Sequence, residues 1–205
     1  MDFKDILWMP IDLPVFDMKD ELVNDFSVDF VADAKDYDVR GQLFLEHSNN
    51  YSISKVKEGL TNSQNHLIDY CKTHLPFTDL VNIKIHHITT TGMKLHVDFG
   101  DPEKNLELFK HTNEHEPCGF RMIIKGTKSG DMVVSTNDKI IVPTMPDETD
   151  WYALNYTEGL HGSNPLSTDI DDRYVLFCMG WIDKDKHKEL INRSIDKYSD
   201  FIVKN

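Results

Sequence analysis

The hydrophobic rhythm of the chain changes twice. From Ser63 to His74, apolar Leu67, Ile68 and Cys71 recur at helical spacing and predict an amphipathic helix, which Pro76 ends. From about Val81 to Trp181 short apolar or alternating runs take over: VNIKIHHITTTG, MKLHVDFG, GFRMIIKG, DMVVS, KIIVP, DWYALN and RYVLFCMGW. Gly92, Gly100, Gly126, Gly130, Pro143 and Gly159 fall between them, where turns need such residues. The pattern predicts seven or eight short strands, the mark of a small barrel or jelly roll. Beyond Trp181 the helical period returns in Leu190, Ile191, Ile195 and Tyr198, with Asp183 as N-cap. Ahead of all this, GQLFLEH (41–47) reads as a strand. Residues 1–40, acidic and carrying Pro10 and Pro14, are expected to wrap the surface as a short strand or helix. The expectation is one mainly β domain with flanking helices over 1–205: an N-terminal flank (1–80), a β core (81–181) and a C-terminal helix (182–205).

Composition narrows the class. The 40% hydrophobic and 28% charged fractions are those of an ordinary soluble globule. No apolar run reaches the roughly 18–20 residues a membrane-spanning helix needs. The start, MDFKDILWMPIDLP, has no features of a signal peptide, so a cytoplasmic location without membrane partner is expected. A net charge of −13 with no basic stripe argues against nucleic acid. Cys71, Cys118 and Cys178 form no CxxC pair and read as reduced thiols packed like small hydrophobes.

The candidate chemistry lies in the strand region. On a strand, residues i and i+2 share a face, so His96 and Asp98 of MKLHVDFG would point together and could take adjacent positions on one divalent metal. A chain with ten histidines can carry such a triplet by chance, and a solvated strand end is the bland alternative. Downstream, however, His161 ends a strand-like run 63 residues after Asp98, and Arg173 opens a strongly apolar strand 12 residues later. An arginine at the head of a buried strand is costly unless a fixed anion meets it, and a carboxylate fits its planar fork. Two imidazoles and one carboxylate leave Fe(II) with open positions, whereas a structural zinc site would want a fourth protein ligand.

HxD, then His, then Arg, in this order and spacing, resembles the 2-oxoglutarate/Fe(II)-dependent oxygenase superfamily. The phrases NIKIHHITTTGMKLHVD, GFRMIIKG and WYALNYTEGLHGSNP are similar to its aspartyl/asparaginyl β-hydroxylase-like branch, which includes free-proline hydroxylases. The likeness covers about Val81 to Trp181. It implies a double-stranded β-helix (a cupin-like jelly roll), Fe(II) held by His96, Asp98 and His161, and 2-oxoglutarate and O2 as co-substrates. Arg173 would pair with the remote carboxylate of 2-oxoglutarate. Arg121 matches an active-site arginine of the branch, near co-substrate or substrate. The implied reaction hydroxylates a C–H of an amino acid or peptidyl side chain, releasing succinate and CO2. Asp98 argues against halogenation, since it holds the position a halide would need. The chain departs from the branch in the acidic insert STDIDD before Arg173. It departs again at Met122 and Ile123, where the branch often carries a histidine.

Other residues are weighed against plainer roles. Ser163 and Asn164, after the distal histidine, could donate hydrogen bonds beside the metal or simply form a turn. Of Trp151 and Tyr152, one is expected in the core and the other lining the pocket. His86 and His87 read as one inward and one outward strand residue. His111 and His115 read as solvated loop, and the HxE at His187 and Glu189 falls in the C-terminal helix, where i and i+2 diverge. Two rival functions stay open at this level: a cupin-like metal enzyme with no use for 2-oxoglutarate, and a non-catalytic β-barrel binding module.

Overall fold

The computed structural model describes residues 3–25, 39–47, 60–88, 95, 116–128, 132–155, 160–163 and 173–205, with the backbone alone for 39–47 and parts of the neighbouring strand. Within them the chain runs β1 (Ile6–Pro10), α1 (Lys19–Asn24), β2 (Val39–His47), α2 (Asn62–His74), β3 (Phe77–Ile88), β4 (Pro117–Lys125), β5 (Met132–Ser135), β6 (Ile140–Ile141), β7 (Trp151–Asn155), β8 (Leu160–Ser163), β9 (Arg173–Ile182), α3 (Lys184–Tyr198) and β10 (Val203–Lys204). Mainly β structure with flanking helices is thus what the sequence folds into.

Both long helices start on side-chain caps. Thr61 accepts from the Gln64 N–H at 3.3 Å while its own N–H donates to Gln64 Oε1 at 3.1 Å, a reciprocal box that satisfies two amide donors at the start of α2. Asp183 accepts from the N–H groups of Asp185 and Lys186 and starts α3.

The strands form two sheets, one of seven strands in the order β10-β1-β7-β4-β9-β3-β2 and one of three in the order β6-β5-β8, and every described pairing is antiparallel. The large sheet is covered on both faces. On one side, Leu67, Ile68 and Cys71 of α2 and Leu190 and Ile191 of α3 share a core with Phe120, Met122, Ile124, Ala153, Leu176 and Cys178. On the other, Val134 of the small sheet packs with Trp8, Ile123, Tyr152, Leu154 and Val203. Burial on two faces removes the in–out alternation, which is why GFRMII and WYALN read as near-continuous apolar runs. No disulfide links the cysteines described; Cys71 and Cys178 meet across the helix–sheet interface with Sγ atoms 3.3 Å apart.

One expectation is corrected. Ile6–Pro10 is not a surface wrap: it is an interior strand between β7 and β10, with all five residues buried. The acidity of the first 40 residues misleads because ILWMP itself carries no charge. Burying Ile6, Leu7, Trp8 and Met9 stabilises the fold by about 1.5–3 kcal/mol each. Among the described residues, no helix is long and apolar enough to cross a membrane.

His187 ties α3 to β4. It is 1% exposed, its Nε2 donates to the Pro117 carbonyl at 2.9 Å, and its Nδ1 lies 3.5 Å from Glu116 Oε2. Glu189, two positions on, is exposed, as the helical divergence of i and i+2 requires. Burial holds the ring's proton affinity below its usual value, partly offset by the Pro117 bond and Glu116. The unfolded chain therefore takes up a proton near pH 6.5 while the folded one does not. This contribution to stability is complete above that pH and is lost as pH falls towards the folded pKa. The urea midpoint of the wild type should accordingly fall between pH 7 and 5.5 more steeply than that of His187→Gln, whose amide can still donate to Pro117. Parallel slopes would show that His187 does not set the acid limit.

Candidate active site between the two sheets

β8 is short, four residues ending in Ser163, and pairs only with β5 among the described strands. His161 stands opposite Val134 in that ladder. Paired residues share a face, and Val134 faces the large sheet, so His161 does too. The ring is 0% exposed.

It meets Arg121 there. Arg121 Nη2 lies 3.3 Å from His161 Nε2, a contact between the small sheet and the central strand β4 of the large one. A guanidinium can only donate, so Nε2 must accept.

The setting of Arg121 follows from register. In the large sheet its neighbours are Tyr152 on β7 and Phe177 on β9. The guanidinium carbon lies 5.3 Å from the centroid of the Phe177 ring, within cation–π range. With 7% exposure the charge is held in an interior lined by aromatic rings. Tyr152 belongs to this side of β7, packed 6.0 Å from Trp8, whereas Trp151 stacks at 5.7 Å and 6° on Tyr70 on the helix side. Of the two aromatic candidates, Trp151 is the one in the helix-facing core and Tyr152 the one beside Arg121.

Arg173 opens β9, opposite Ile88 of β3, and is 2% exposed. β9 runs without a bulge on its own strand, so Arg173 shares the face of Phe177 four positions on, about 13 Å along the strand. Both arginines therefore belong to the face that meets His161. Gly126, immediately after β4, shapes the arginine's seat. Its φ is +122°, and a Cβ there would lie 3.2 Å from Arg173 Cγ and 3.5 Å from its Cβ. Both the backbone and the space call for glycine. Gly126→Ala is expected to cost about 1–3 kcal/mol and to displace the Arg173 stem. Equilibrium unfolding measures the first effect, and an unchanged urea midpoint would contradict it.

The remaining candidates are placed as follows. Ser163 pairs with Met132 at the end of β8. His86 and His87 lie on β3 opposite Val175 and Tyr174. His96, Asp98, His111, His115 and Asn164 lie outside the described residues. Among the described residues no group of three His, Cys, Asp or Glu side chains converges on one point. Phe177 and Gly126 were not singled out as site residues from the sequence. A glycine closing a strand looks like any turn residue, and Phe177 is one apolar residue in a run of them.

No protein-family profile matches the chain, and no curated protein sequence does. The crystal structure of AviO1 from Streptomyces viridochromogenes Tue57 aligns with 86% of this chain and 90% of its own at 10% identity, with a TM-score of 0.43. Likeness at that level gives no residue correspondence.

Proposed function

We propose that the chain is an Fe(II)- and 2-oxoglutarate-dependent dioxygenase built on a double-stranded β-helix, which hydroxylates a C–H of an amino acid or peptidyl side chain. The supporting observation is the meeting of wholly buried His161 with Arg121 between two antiparallel sheets, on the face that also carries buried Arg173. A guanidinium beside a buried imidazole, with a second buried arginine on the same face, is a setting suited to holding a carboxylate.

The donor chemistry fits the metal. A neutral imidazole with an unprotonated Nε2 is the form in which histidine ligates. His161 would be one ligand, and His96 and Asp98 the others. Fe(II), when bound, would activate O2 at the expense of 2-oxoglutarate, giving succinate and CO2.

The chain's own share is orientation. Arg173 would hold the far carboxylate through its planar fork, fixing the dicarboxylate along the inter-sheet space. Tyr152, Trp8 and Leu154 exclude water from one side, so each charge contact acts in a medium of low dielectric.

Titration of the purified chain with Fe(II) and 2-oxoglutarate without oxygen tests this reading. A weak visible charge-transfer band should appear only when both are present, and succinate should form once oxygen and a substrate are admitted. Free amino acids and short peptides are the first substrates to screen. Metal binding with no band and no succinate would favour a cupin-like enzyme that does not use 2-oxoglutarate. Absence of metal binding would leave a binding module.

A further inference from the structure

We propose that Cys71 and Cys178 form an oxidation site, a thiol pair that a peroxide converts to a disulfide fastening α2 to β9. The inference stands apart from the proposed iron chemistry. Cys71 belongs to the last turn of α2 and Cys178 to β9, the strand between β4 and β3. Their Sγ atoms are 3.3 Å apart. A disulfide bond is about 2.05 Å long, so each sulfur has to travel only about 0.6 Å, which a small rotation about each Cα–Cβ bond supplies. Both residues are 0% exposed, in a core shared with Leu67, Ile68, Leu176 and Leu190.

That burial selects the oxidant. Bulky disulfide oxidants are kept out, whereas hydrogen peroxide is small and uncharged, and the end of a helix is where a fold opens most readily. One thiolate attacks a peroxide oxygen and the O–O bond breaks. A sulfenic acid forms, and the departing hydroxide leaves as water with that thiol's proton. The neighbouring sulfur then attacks the sulfenic sulfur, the S–O bond breaks, and a second water carries away the second proton. The two thiols lose two electrons in all, and one peroxide becomes two waters. Because the second sulfur is already in contact, closure of the disulfide outruns further oxidation to the sulfinic acid.

The product joins residues 107 positions apart along the chain. A cross-link of that span removes conformational freedom from the unfolded state, so the oxidised chain is the more stable form. It also pins the end of α2 to the strand that Arg173 heads.

Treating the full native chain with hydrogen peroxide, then unfolding, alkylating and mapping peptides by mass, tests this on the wild type without any variant. A linked pair of peptides holding Cys71 and Cys178, two hydrogens lighter than their sum, is expected, with Cys118 alkylated as a thiol. The urea midpoint of the oxidised chain should rise by about 1–2 M and return on treatment with dithiothreitol. Cys71→Ala should show no such rise under the same treatment. Three alkylated cysteines after prolonged exposure, a link that includes Cys118, or sulfinic acid at either position would overturn the proposal. So would a Cys71–Cys178 link that leaves the midpoint unchanged or lowers it, since the bond would then form only by distorting the helix–sheet contact.

Discussion

Gly180→Ala is expected to lower the stability of the chain by about 3 kcal/mol or more, the upper range for overpacking, because the new methyl group meets backbone as well as a ring. A Cβ at Gly180 would lie 2.5 Å from the Asp79 carbonyl oxygen and 2.6 and 2.8 Å from Cγ and Cδ1 of Phe77. The carbonyl belongs to the neighbouring strand and cannot rotate away as a side chain could. It lies where β3 carries extra residues against β9, with register shifts between Phe77 and Asp79 and between Leu80 and Asn82. Such a bulge brings its strand close to its partner, and glycine accommodates the approach. Phe77 has little room to yield, since its ring packs edge-on against Phe120 at 5.6 Å. The loss should appear in urea unfolding followed by tryptophan emission, as Trp181 adjoins the site. A midpoint within the scatter of the wild type would mean that β3 and β9 slide apart more easily than their long ladder implies.

How far the sequence announces this molecule depends on the range of the interactions involved. α2 and α3 are legible because their determinants are local: Asp183 caps its own helix, and Leu67, Ile68 and Cys71 lie within two turns. β3, β4, β7 and β9 are legible as apolar runs bounded by turn formers. The edge of the large sheet is not. β10 is two residues long, too short for any period to show, and β1 is buried by elements distant in sequence, with Ile6 and Met9 in the core shared with the helices and Leu7 and Trp8 in the one shared with the small sheet. The candidate site divides in the same way. His161 and Arg173 stand out through their order along the chain, and the strand alternation of Trp151 and Tyr152 separates a core side from an inter-sheet side. The contact of Arg121 with His161 joins two sheets across 40 residues, and nothing local to GFRMIIKG or LHGS encodes it. Sheet packing decides it.

Arg173→Ala should leave Mn(II) binding unchanged and raise the 2-oxoglutarate concentration needed for half-maximal succinate formation by about a hundredfold, the worth of a buried bidentate pair. The argument starts from position. Arg173 heads a strand flanked on both sides, by β4 and β3, and its stem is confined by Gly126. A long charged side chain at 2% exposure gains little from solvent, and on the proposed reading its fork meets the planar carboxylate. On the proposed reading, truncation removes that anion's partner while His161, on the other sheet, keeps its place. Arg173→Lys keeps the charge as a point on a shorter reach and should recover only part of the loss. Added guanidinium ion should partly restore Arg173→Ala, because the cavity left by truncation can admit it, whereas a merely misfolded variant would not respond. An unaltered 2-oxoglutarate requirement in Arg173→Ala, with the fold intact, would remove Arg173 from the co-substrate site and leave its burial to be explained by packing alone.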